Sequence, residues 1–103
     1  MDSRFNRVMA VPNECTMKAR ILSVERSSQI SNKWHMQIEI TESTSVFGPN
    51  FAKRGQVARA FTFCDPAIFS GEDACVSCRA EFLGDEHGGQ FQLIAMQRLH
   101  CSE

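Results

Sequence analysis

Asp65-Pro66-Ala67-Ile68-Phe69 is the stretch that orders the rest of this chain. Asp65 is a good helix N-cap, Pro66 suits the first helical position, and Gly71 ends the turn six residues after Asp65. These residues predict a short helix whose Ile68 and Phe69 plug the end of the structure around it. Three runs of alternating apolar and polar residues precede this break and two follow it.

On the N-terminal side, Gly55 to Cys64 predicts a third strand with Val57, Phe61 and Phe63 inward and Ala58, Ala60 and Thr62 outward. Arg59 falls on the inward phase, which places the start of this strand at a mouth where its head reaches water. One run further back, Lys33 to Glu42 alternates Trp34, Met36, Ile38 and Ile40 with His35, Gln37, Glu39 and Thr41, one buried and one wetted face. Ser43 to Arg54 reads as a long connection, because Gly48 and Pro49 do not fit a regular ladder. The first strand, Thr16 to Arg26, puts Met17, Ala19 and Ile21 on one face. Its phase then slips at Leu22 and Val24, which predicts a bulge near Ile21–Ser23.

Beyond the break, Asp73 to Leu83 gathers Ala74, Val76, Cys78, Ala80 and Phe82 on one face. Gly84 to Gly89 is a glycine-rich hairpin tip, and Gln90 to His100 places Phe91, Leu93 and Ala95 inside. Residues 1–14 read as an N-terminal arm whose Phe5, Val8, Met9 and Val11 suit docking, and residues 15–103 as a single domain.

With 103 residues, 43% of them hydrophobic and 22% charged, the chain has enough apolar material for one core and too little length for two. A net charge of −1 removes the overall basic footprint of a non-specific nucleic-acid binder. No run approaches the about 20 apolar residues of a membrane span, and the N-terminus has no signal-peptide pattern. Five cysteines is an odd number, which favours reduced thiols, and a soluble cytoplasmic protein is the expectation.

Three strands, a short helix and two strands between about Thr16 and His100 resemble the oligonucleotide/oligosaccharide-binding (OB) fold. The marks are the bulged first strand, the capped Asp65-Pro66 turn and the glycine-rich last hairpin. The resemblance implies an all-β, five-stranded Greek-key barrel with one short helix between strands three and four. It also implies a ligand surface across the second and third strands. In this chain that surface would hold His35, Gln37 and Glu39 with Ala58, Ala60 and Thr62, rimmed by Ser28–Lys33 and Asp85–His87. Nucleic-acid binders stack bases on aromatic rings in a positive groove, and those outward positions carry no ring.

The segment Phe47-Gly48-Pro49-Asn50-Phe51-Ala52-Lys53-Arg54 joins two rings to a basic pair, suiting contact with a base and a phosphate or with a protein. The plain alternative is that both rings cap the barrel and Lys53 and Arg54 form a solvated turn. Cys75 and Cys78, with His100 and Cys101, have the residue types of a zinc site. In an extended strand, however, residues three apart point to opposite faces. Asp85-Glu86-His87 has acid/base residue types on an unshielded tip, where nothing shifts a pKa.

No phosphate loop, dinucleotide fingerprint, zinc-protease motif or nucleophile elbow is present, so neither an enzyme nor a cofactor is expected. The expected function is a non-enzymatic binding module whose ligand is single-stranded nucleic acid or a protein partner. Its candidate contacts are Phe47, Phe51, Lys53, Arg54, His35 and Gln37. The alternatives are a homodimer built through barrel edges and the arm, and a small-molecule binder.

Overall fold

Alternation with a period of two makes each strand bury one face, and five such faces satisfy one another when the sheet closes on itself. A computed structural model describes residues 11–63, 74–85 and 88–99 of the chain. It contains β1 (Glu14–Arg26), β2 (Trp34–Phe47), β3 (Val57–Thr62), β4 (Cys75–Asp85) and β5 (Gly88–Leu99). Neighbouring strands run β1-β2-β3-β5-β4, and β4 returns to β1 to close the ring. No helix occurs among the described residues. The turn expected at Asp65–Phe69 lies outside them.

β1 closes the ring because it pairs on both sides, with β2 along its length and with β4 from Cys15↔Ala80 to Arg20↔Cys75. Serving two neighbours requires a coiled strand, and the β1–β2 register slips between Ile21 and Ser23 where the bulge is expected. The seam between β3 and β5 is parallel and short, pairing Ala60 with Phe91 and Phe61 with Gln92. The Thr62 hydroxyl extends it, donating to the Leu93 carbonyl at 3.1 Å. Met17, Ile38, Ile40, Val76 and Phe91 fill the interior.

Three expectations need correction. First, β2 continues past Glu42 to Phe47. Its free edge there is capped by the following loop, with the Ser43 hydroxyl donating to Ala52 O at 2.8 Å and Asn50 Nδ2 donating to Ser43 Oγ at 3.0 Å. Gly48 and Pro49 follow the strand rather than interrupt it.

Second, β3 has the opposite phase. Ala60 and Thr62 are inside, Ala58 packs against the core, and Val57, Arg59 and Phe63 face outward. Pairing forces this, because Ala58 lies opposite Ile38 and Ala60 opposite Met36. Cross-strand partners share a face, and Ile38 and Met36 are firmly inside. Phe61 belongs to the outward set, although other side chains cover it.

Third, Ala95 is exposed and Met96 buried in its stead. A bulge sets Ala95 and Met96 against Cys78 alone, with Ala95 at φ 56°. Among the described residues no helix is long and apolar enough to cross a membrane.

Candidate functional site

The inverted phase of β3 places two aromatic rings on the outer surface of the β2–β3 face. Phe61 and Phe63 stand edge to face, with centroids 5.8 Å apart and planes at 85°. Lys33 Nζ lies 4.5 Å from the Phe61 centroid and 5.9 Å from that of Phe63. Both distances are within cation–π range. Phe61 is only 6% exposed beneath this cover, whereas Phe63 is 52% exposed and free to meet a ligand.

Local sequence holds Lys33 there. Ser27 Oγ accepts from the Gln29 and Ile30 amides at 3.2 and 3.1 Å, the side-chain-mimicked turn that serine favours. Asn32 takes φ 62°, a left-handed conformation that asparagine tolerates better than most residues. The Ser27 amide then donates to Lys33 O at 2.9 Å, closing the loop and delivering the lysine to the start of β2.

Beside the rings, a trough of about 410 Å³ crosses β1, β2 and β3 to the start of β5, lined by Ser23, Glu25, His35, Gln37, Arg59 and Gln90. Register accounts for the juxtaposition: Ser23 is opposite Gln37, Gln37 opposite Arg59, and Glu25 opposite His35. Arg59 Nη2 donates to Gly89 O at 3.5 Å, which directs the guanidinium toward the β4–β5 hairpin. Gly89 is required at that point, since a Cβ would strike the Phe82 ring and the Leu83 carbonyl.

Elsewhere on the outer surface, opposite charges meet across strands. Arg20 pairs with Glu39 at 3.5 Å, Lys18 with Glu42 at 3.4 Å and Arg79 with Glu14 at 3.4 Å. A second depression, of about 300 Å³, is lined by Thr16, Lys18, Thr44, Ser77 and Arg79, and its cations are neutralised by those carboxylates. Among the described residues Lys33, Arg59 and Glu25 have no ion-pair partner, as is also true of Arg26, Lys53, Arg54, Glu81 and Arg98 away from the trough lining.

The residues anticipated from sequence divide into two groups. His35 and Gln37 are exposed on the outer face and line the trough. The Phe47–Arg54 segment is dispersed. Phe47 is half-exposed at the far end of β2, and Phe51 is stacked on Phe82 at 4.8 Å as part of the packed interior. Lys53 and Arg54 are exposed on a turn whose Gly55 amide bonds to Ile40.

The cysteines do not converge. Cys78 points inward beside Cys15, while Cys75 faces out half-buried and is disulfide-bonded, not reduced as expected. His100 and Cys101 lie outside the described residues, and no group of three potential metal ligands occurs among those described. Burial, and secondarily the neighbouring Cys15, pushes the Cys78 thiol up to about 12. Burial, then Glu14, raises that of Cys15. Both thiols are therefore poor nucleophiles at neutral pH.

Phe61, Phe63, Arg59 and Glu25 were not among the anticipated site residues, and Lys33 was anticipated only as the last residue of the Ser28–Lys33 rim. One sequence signal pointed to them: assigning Val57 and Phe61 inward also put the charge of Arg59 inside, a cost that a narrow interior does not offset. Comparison with family models, curated proteins and solved structures returns no match.

Proposed function

We propose that this protein is a non-enzymatic module that binds single-stranded nucleic acid across the outer face of β2 and β3. The observation carrying this reading is Lys33 poised over Phe61 with Phe63 displayed beside it. A ring on which a base stacks next to a cation that meets phosphate is the minimal unit of sequence-tolerant single-strand binding. The order β1-β2-β3-β5-β4 supports it, being the strand order of an OB-like barrel, whose ligands lie on strands 2 and 3 between the first and last loops. Lys33 ends the β1–β2 loop and Gln90 follows the β4–β5 hairpin tip, which are those positions.

Fluorescence anisotropy with a labelled 12-mer of deoxythymidine across a salt series tests it. Two unpaired cations give a slope of log K against log salt of about −1.4, at roughly −0.7 per phosphate contact. Lys33→Met should reduce that slope by about 0.7. Absence of binding at low salt refutes the reading.

A protein partner is the second reading, favoured by Val11, Val46 and Phe47, all about half-exposed near the far end of β2. Sedimentation showing one monomer at every concentration excludes self-association there.

A further inference from the structure

A carboxylate in a site for a polyanion is a contradiction unless the ligand meets it with donors. Glu25 and Arg59 both wall the trough and neither has an ion-pair partner, whereas Arg20–Glu39, Lys18–Glu42 and Arg79–Glu14 are all closed across their strands. They sit on opposite walls. Their strands, β1 and β3, flank β2, which sets the two backbones about 10 Å apart at inter-strand spacings of ~4.8 Å. Gln37 forms part of the floor between them, and Arg59 Nη2 reaches only a long 3.5 Å contact to Gly89 O. The trough thus offers acceptors from one side and a fork of donors from the other.

Resting on the single-strand reading, we infer that this trough takes a guanine base. Guanine presents N1–H and N2–H donors on one side, which a carboxylate accepts in pairs. On the other side it presents O6 and N7, the acceptors that arginine engages bidentately. Adenine turns the acceptor N1 toward the carboxylate and puts the N6 donor where guanine has O6, so it loses both carboxylate contacts and keeps only N7 for the guanidinium. Cytosine carries its donor and acceptors on one edge and an apolar edge opposite, leaving one wall unsatisfied. Thymine has a single ring donor. Phe63 and Lys33, at the end of the same face, would then receive the neighbouring base and its phosphate.

Anisotropy with four 12-mers of deoxythymidine, each carrying one central guanine, adenine, cytosine or hypoxanthine, tests this with the intact chain. Guanine should bind roughly 10- to 100-fold more tightly than adenine, the range for one good bidentate contact. Hypoxanthine, lacking the N2 amine, should fall between them. Glu25→Gln should bind the adenine oligomer at least as well as wild type while losing most of the guanine preference. Equal affinity for all four oligomers overturns the guanine assignment and leaves single-strand binding standing, as does a preference that Glu25→Gln does not reduce. Binding of none overturns both.

Discussion

Asn13 is expected to hold the N-terminal end of the sheet, and replacing it gives the most demanding test of the packing. Its side chain is 9% exposed and imitates a strand partner for Phe82. Oδ1 accepts from the Phe82 amide at 2.9 Å, and Nδ2 donates to Phe82 O at 3.1 Å and to Val11 O at 2.9 Å. Phe82 stacks on Phe51 at 4.8 Å and meets Phe91 edge-on at 5.0 Å, so Asn13 anchors the strand that carries the middle ring of three. Asn13→Ala removes three hydrogen bonds worth about 0.5–1.5 kcal/mol each and leaves a part-buried amide without an acceptor. The expected loss is about 2–4 kcal/mol, a fall in Tm of roughly 10–25 °C for a domain of this size. Asn13→Asp keeps the shape and the acceptor but turns a carboxylate toward two carbonyl oxygens. It should be at least as destabilising at pH 7. Urea unfolding of the three proteins measures both effects. Wild-type stability in Asn13→Asp would refute the assignment of Nδ2 as an essential donor.

Phe63→Ala should weaken oligonucleotide binding about 5- to 100-fold, the range for one lost base stack, while leaving Tm within a degree or two because the ring is half in water. Gly89→Ala should lower stability by about 1–3 kcal/mol and displace the hairpin that receives Arg59, since a Cβ overlaps the Phe82 ring. Stability should also fall in alkali. The Cys78 thiol is raised from 9.0 to about 12, so above pH 9 the unfolded chain loses a proton that the native state keeps. Unfolding free energy then drops by up to about 1.4 kcal/mol per pH unit between pH 9 and 12. Cys78→Ala should flatten that slope in urea titrations at pH 8, 9.5 and 11.

Why β1, β4 and the first half of β2 were legible and β3 was not comes down to where the charges fall. In Met36-Gln37-Ile38-Glu39-Ile40 every apolar residue shares one phase and every polar residue the other, so only one face is available for burial. In Val57-Ala58-Arg59-Ala60-Phe61-Thr62-Phe63 the larger apolar residues and the arginine share a phase. Side-chain size argues one way and charge the other, and only the register with Met36 and Ile38 decides. The slip at Ala95 has the same character. Nothing in Ile94-Ala95-Met96 announces a bulge, whereas Leu22 and Val24 break an alternation already established by Met17, Ala19 and Ile21. Beyond Glu42, Ser43-Thr44-Ser45 carries no alternation to read, and its place in β2 comes from pairing with Met17, Thr16 and Cys15 of β1, with hydroxyl contacts to the following loop on the other edge. The site was hidden for a related reason. Lys33 is far from Phe61 and Phe63 in sequence, and they meet only because Trp34 pairs with Thr62 and His35 with Phe61.

The geometry of the interior makes that outward display a consequence rather than an accident. Eight strands leave just enough room inside a closed sheet for side chains, and five leave less. Phe91, Met17, Ile38, Ile40 and Val76 already occupy this narrower space, so β3 can contribute only small groups where it crosses them. Alanine and threonine meet that limit, and Thr62 finds its acceptor at Leu93. With the small residues committed inward, a period of two sends Val57, Arg59, Phe61 and Phe63 outward together. The face that carries the proposed site is therefore the complement of the packing, and enlarging β3's inner set should disturb both. Ala60→Leu is expected to lower stability by about 1–3 kcal/mol through overpacking against Phe91 and Met36. It should also move Arg59 and Phe61, its neighbours in the chain, and weaken oligonucleotide binding although it touches no ligand. An Ala60→Leu protein with undiminished stability would show that the interior has room for a larger side chain, and crowding of the core would no longer account for the aromatic outer face.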